Sequence, residues 1–115
     1  MTKTRLSNRE VSAYVTHCSD FVNNNKTLLG EMHRDGSDLW YVVYSYGHHW
    51  PLYVRDMESG KWYGNKDKYS TTTSKHLTVS RPKTDEIEWM GHYKIKHLAD
   101  FGPMRFVLDA LNRAI

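Results

Sequence analysis

LWYVVYSYGHHWPLYVRDM, residues 39–57, decides the fold. Leu39 to Tyr46 are almost all aromatic or β-branched, which reads as the central strand of a sheet rather than a helix. Gly47 permits a bend, His48 and His49 follow, and Pro51 opens a second strand, PLYVRDM, where no ladder donor is lost. Upstream, TLLGEMHR (27–34) is a strand candidate, joined to the central strand by the hairpin-type pair Asp35-Gly36. Downstream, Glu58-Ser59-Gly60 turns the chain and KWYGN (61–65) supplies a short partner.

The flanks read differently. Ser7-Asn8-Arg9-Glu10 has the spacing of a capping box, and Val11, Tyr14, Val15, Cys18, Phe21 and Val22 recur on one helical face. A helix is therefore expected from Asn8 to Val22, ended by Asn23-Asn24-Asn25. Gly102-Pro103 opens a second helix with an apolar stripe of Met104, Val107, Leu108, Leu111, Ala114 and Ile115. Between the sheet and that helix, KYSTTTSKHLTVSR (68–81) is rich in Ser and Thr and is expected to be extended. EIEWM (86–90) alternates like a strand, which YKIKHL (93–98) either extends or ends. The expected fold is α+β: N-terminal and C-terminal helices packed on an antiparallel sheet of four to five strands, as one domain over residues 1–115.

Composition narrows the function classes. With 39% hydrophobic and 25% charged residues the chain suits a globular domain rather than a disordered one. No apolar run approaches the roughly 20 residues needed to span a bilayer, and MTKTRLSNRE lacks the apolar stretch of a secretory signal. One cysteine, Cys18, excludes an internal disulfide. An intracellular setting is expected. The net charge of +3 is unevenly placed: residues 61–83 hold Lys61, Lys66, Lys68, Lys75, Arg81 and Lys83 against Asp67 alone. Clustered Lys and Arg attract phosphates.

Two constellations carry candidate chemistry. The first is YSYGHHWPLY, residues 44–53. Tyr44, Tyr46, Trp50 and Tyr53 would form an aromatic ridge, with Ser45 on the other strand face and His48 and His49 in a loop where functional residues gather. The second is the 68–81 stretch. Read as extended, it places Ser74, His76, Thr78 and Ser80 on one face, and Lys75 and Arg81 on the other. Lys75 and Arg81 would hold phosphate there, with Tyr69, Ser74 and His76 reaching the same ligand, and Lys66 and Lys68 belong to the basic segment through which nucleic acid would be bound. A metal is not expected, since no H-x-H, H-x3-H or H-E-x-x-H pattern appears and no close carboxylate set completes a site. No cofactor-binding glycine loop is present either. If the chain is an enzyme, His48, Lys75 and His76 could supply base, acid and cation for metal-independent RNA cleavage.

The motifs N-x-E-V at Asn8, Glu10 and Val11, YSYGxHxP over Tyr44 to His48 with Pro51, and YSxTTSKH over Tyr69, Ser70 and Thr72 to His76, with Arg81 beyond, resemble a family of small bacteriophage- and plasmid-encoded proteins. The resemblance spans roughly residues 7 to 82 and departs at His49-Trp50, at Thr78 and in the tail beyond Pro82. It implies a mobile-element origin in the cytoplasm of a bacterial host. It also joins the two constellations, with Tyr44, Ser45 and Tyr46 facing Ser74 and His76 across neighbouring strands. The partner expected is nucleic acid, or a host protein or ribonucleoprotein complex that handles it. Inhibition of host defence, of the anti-CRISPR kind, fits such a protein.

Overall fold

The stretch read as a central strand is one. In the computed structural model, which describes residues 4–106, β4 (Asp38–Ser45) lies at the middle of a seven-stranded sheet of order β1-β2-β3-β4-β5-β6-β7. Its alternate side chains feed two cores. Tyr41 and Val43 join Val11, Val15, Phe21, Leu28, Leu52 and Trp62 on one face. Trp40, Val42 and Tyr44 join Val54, Met90, Ile95, Leu98 and Ala99 on the other. A strand covered on both faces reads as continuously apolar, which is why 39–44 shows no polar alternation. Each buried aliphatic contributes about 1.5–3 kcal/mol.

The middle strands form an antiparallel meander. β3 (Leu28–Asp35) pairs with β4 through a hairpin in which Asp35 faces Asp38 and Gly36 takes φ +60°. β4 pairs in turn with β5 (Trp50–Asp56), and β5 with β6 (Trp62–Asn65). The register shifts at Val43/Tyr44, where Tyr44 meets Pro51 and Val43 meets Tyr53, so Leu52 is the extra residue of a bulge beside the proline. Gly30 is required by close approach: a Cβ there would overlap the Phe21 ring and the Tyr41 hydroxyl.

The two sheet edges are parallel, and here the structure departs from expectation. β1 (Thr4–Leu6) runs parallel to β2 (Phe21–Asn23) through α1 (Asn8–Thr16), and β6 runs parallel to β7 (Ile87–Met90) through α2 (Thr71–Val79). Parallel neighbours need such crossovers, usually helical. α3 (His92–Phe101) follows β7 and covers the opposite face. The class is α+β as expected, but the sheet has seven strands rather than four or five, and it is mixed rather than antiparallel.

Each misreading has a local cause. The first helix stops at Thr16 instead of Val22, because Cys18 turns left-handed (φ 55°) and Phe21 and Val22 enter the sheet. Asn23 does not end a helix but closes the β2–β3 turn, its buried Oδ1 accepting from the amides of Thr27 (2.8 Å) and Leu28 (3.0 Å). Ser7 stands at the helix start without capping an amide; its hydroxyl donates to Glu10 Oε1 at 2.9 Å.

The 68–81 stretch is a helix, not a strand. Ser70 caps it, Oγ accepting from the Thr73 amide at 3.1 Å. The hydroxyls of Ser74, Thr78 and Ser80 bond back to carbonyls one turn earlier. Burial of Thr73 and His76 and packing of Leu77 and Val79 on the core outweigh the weak helix propensity of threonine. YKIKHL is helical too, with Ile95, Leu98 and Ala99 buried. Of the expected C-terminal helix, residues 103–106 are helical, and Val107, Leu108, Leu111, Ala114 and Ile115 lie outside the described residues. No helix among the described residues is long and apolar enough to cross a membrane.

Candidate functional site

The strand directions concentrate one kind of chemistry at one end of the molecule. β1, β2, β4, β6 and β7 all point the same way. α1, α2 and α3 follow β1, β6 and β7, so all three begin at the end where those strands finish. Three sets of first-turn amides, and the positive ends of three helix dipoles, therefore face the same solvent. The β4–β5 loop, with Tyr46, His48 and His49, and the β6–α2 loop, with Lys66, Lys68 and Tyr69, lie at this end as well.

A ladder of rings crosses it. Trp50 stacks on His92 at 3.8 Å with planes 9° apart, Tyr69 leans on Trp50 at 5.2 Å, and Tyr93 lies 6.0 Å from His92. The outer rungs are open, Tyr69 being 71% and Tyr93 90% exposed. Trp50 Nε1 is buried with no acceptor among the described residues, a cost of about 1–3 kcal/mol that this ring placement carries.

Asn65 holds the ladder. It is fully buried at the end of β6, and its Nδ2 donates to the Pro51 carbonyl (2.9 Å) while its Oδ1 accepts from the Asp67 amide (2.9 Å). A carbonyl only accepts and an amide N–H only donates, so the orientation of this side chain is unambiguous. Nδ2 also meets His92 Nδ1 at 3.2 Å, which must then accept, making His92 a neutral ring protonated on Nε2. Burial lowers the His92 pKa in agreement, outweighing the raising effect of Asp67. Asp67 closes the loop by accepting the His92 amide at 2.7 Å. That contact engages the one carboxylate of the 61–83 segment at the start of α3, and exposed Lys66 and Lys68 on either side of it have no ion pair among the described residues.

The remaining candidates fall into separate groups. Ser45 and His76 do meet, Oγ to Nδ1 at 2.7 Å, with Tyr46 tilted over the His76 ring at 5.6 Å. The expected contact between the two constellations exists, supplied by a helix rather than a strand. Ser45 is fully buried, which leaves it no access to a substrate. Burial lowers the His76 pKa. Ser74 and Lys75 line a groove with Tyr46 and His76.

His48 is not part of that group. It bonds to Glu31 and packs on Tyr44 at 4.9 Å, on the sheet face opposite Ser45 and His76. The trio of His48, Lys75 and His76 is thus not assembled. Tyr44 and Tyr53 are sealed in the two cores and do not form a surface ridge. Of that ridge Tyr46 is exposed and Trp50 partly so; His49 is exposed in the same loop. Arg81 lies beyond the far end of α2, over the Trp89 ring, and Lys61 pairs with Glu88, so the basic segment is divided between the two ends of the sheet.

Asn65 and Tyr93 were not singled out by sequence, and Asp67 entered only as the lone carboxylate among the lysines. A Gly91-His92-Tyr93 run directly after a strand was the available signal, since Gly91 stands at the helix start. Among the described residues no group of three or more His, Cys, Asp or Glu could hold a metal. Comparison with protein-family models, with curated proteins and with solved structures gives no match.

Proposed function

We propose that this chain is a nucleic-acid-binding accessory protein of a phage or plasmid. It acts in the bacterial cytoplasm on nucleic acid, or on a host complex that handles it, and inhibits host defence in the anti-CRISPR manner. The observation that carries the binding part is the ladder Tyr69–Trp50–His92–Tyr93, open at its outer rungs, beside Lys66 and Lys68, which have no ion pair among the described residues. Bases stack on such rings with little regard to sequence, at about 1–3 kcal/mol each, while lysines follow the backbone. Single strands suit it best, because rungs offered by side chains need unpaired base faces. The three helix starts at the same end add favourable potential for phosphates.

The test is fluorescence anisotropy with labelled single-stranded RNA, single-stranded DNA and duplex. Single strands should bind more tightly, with log K falling linearly against log salt. Replacing Lys66 and Lys68 together should flatten that slope by about 1.4, two phosphates at roughly 0.7 each. Tyr69→Ala should weaken binding about fivefold or more at every sequence tested. Equal affinity for duplex and single strands, or no effect of Tyr69→Ala, would overturn the ladder reading. Capture of host partners with and without nuclease treatment then separates a nucleic-acid target from a protein one.

A further inference from the structure

A second feature of the same end lies apart from the ladder. A groove of about 720 Å³ runs between the first turn of α2 and the β2–β3 turn, within the ~300–1,000 Å³ range of small-ligand sites. Along one wall stand Thr71, Thr72 and Lys75, which share the outward face of α2; Asn8 and Thr27 stand opposite. Tyr46, held in the left-handed conformation at φ 58° and 44% exposed, offers its ring to the cavity.

Three observations converge on a ligand with an anionic end and a flat body. Ser70 spends its hydroxyl on the Thr73 amide, so the amides of Thr71 and Thr72, with no acceptor one turn back, remain available at the groove wall. Lys75 lies one turn further along that wall, exposed and without an ion pair among the described residues. His76 is 5% exposed and lines the groove; its Nδ1 is taken by Ser45, and its Nε2 has no hydrogen-bond partner among the described residues. The Ser45 hydroxyl can donate or accept, so His76 Nε2 can present either a lone pair or a proton to a ligand edge.

We infer that this groove binds one nucleotide, its phosphate at the Thr71 and Thr72 amides and Lys75, and its base against Tyr46 with an edge on His76 Nε2. The inference rests on the nucleic-acid reading for its ligand class and sharpens it: a strand stacked on the ladder would place its terminal, 5′-phosphorylated nucleotide here. A free mononucleotide carries the same chemistry.

Calorimetric titration separates these cases. The probes are the 5′-mononucleotides, the corresponding nucleosides, inorganic phosphate, and short single-stranded oligonucleotides with and without a 5′-phosphate. Mononucleotides should bind more tightly than nucleosides or phosphate alone. Lys75→Ala should weaken them about tenfold, the worth of one hydrogen bond to a charged group. Tyr46→Asn, which keeps a residue tolerant of the left-handed backbone, should weaken them about fivefold. If mononucleotides fail but a 5′-phosphate strengthens oligonucleotide binding, and Lys75→Ala removes that gain, the groove takes strand ends.

If neither mononucleotides nor the 5′-phosphate matter while oligonucleotides still bind, the groove inference is overturned and the ladder stands. If mononucleotides bind and oligonucleotides do not, the ladder reading fails and the groove stands. Lys61→Ala, which removes a lysine paired with Glu88 at the opposite end of the sheet, should leave mononucleotide affinity unchanged. A loss there equal to that of Lys75→Ala would also overturn the groove.

Discussion

Asn65→Ala tests the construction of the binding end without touching an exposed ring. The native side chain makes three hydrogen bonds, to the Pro51 carbonyl, the Asp67 amide and His92 Nδ1. Pro51 is buried, so its carbonyl is left dry and unpaired in the variant, at about 1–3 kcal/mol. Water can reach the other two groups, because Asp67 is exposed and His92 half-buried, and each loss should be about 0.5 kcal/mol. The expected destabilisation is about 2–4 kcal/mol by urea denaturation. For a domain of this size that lowers Tm by roughly 8–16 °C.

Asn24→Ala is the control, since that side chain is exposed and should stay within about 0.5 kcal/mol of the parent. Near-UV circular dichroism sums all four tryptophans, so the loosening of Trp50 is read as a difference from the parent spectrum, present in Asn65→Ala and absent in Asn24→Ala. An Asn65→Ala variant as stable as the control, with an unchanged near-UV spectrum, would refute the claim that Asn65 holds the ladder.

Gly30→Ala should cost about 1–3 kcal/mol by overpacking against Phe21 and Tyr41, as measured by chemical denaturation. Ser45→Ala should cost about 1–3 kcal/mol by stranding His76 Nδ1 in the interior. Stability should also depend on pH through His76 and His92, whose pKa values burial holds below the ordinary 6.5. The unfolded chain then binds protons more readily than the native one, so their contribution is complete above pH 6.5 and is lost as pH falls below it toward the native values. Tm should be level at neutral pH and decline on acidification; His92→Phe, which keeps a ring on Trp50, should make that decline shallower.

Much of the sheet is legible in sequence. The runs 27–34 and 39–46, the proline-led strand after them, the Asp35-Gly36 turn and the short KWYGN partner all appear where turn chemistry and side-chain type place them. These signals are local: a β-branched or aromatic run bounded by glycine or proline carries its own preference. The start of α2 was also local, in Ser70 three residues before Thr73, but the Thr-rich composition that follows argues the other way.

What the chain alone determined is therefore the meander, the first helix's beginning and the clustering of lysines between residues 61 and 83. Tertiary structure decided the rest. It made 71–79 a helix, because parallel β6 and β7 need a crossover and a core supplied by distant residues waits under it. It joined Ser45 to His76, turned His48 to the opposite face, and used Asp67 to cap α3 beside two lysines. Which residues meet depends on sheet order and strand direction, and those are set by which apolar faces can be buried together, a property of the whole chain rather than of any stretch of it.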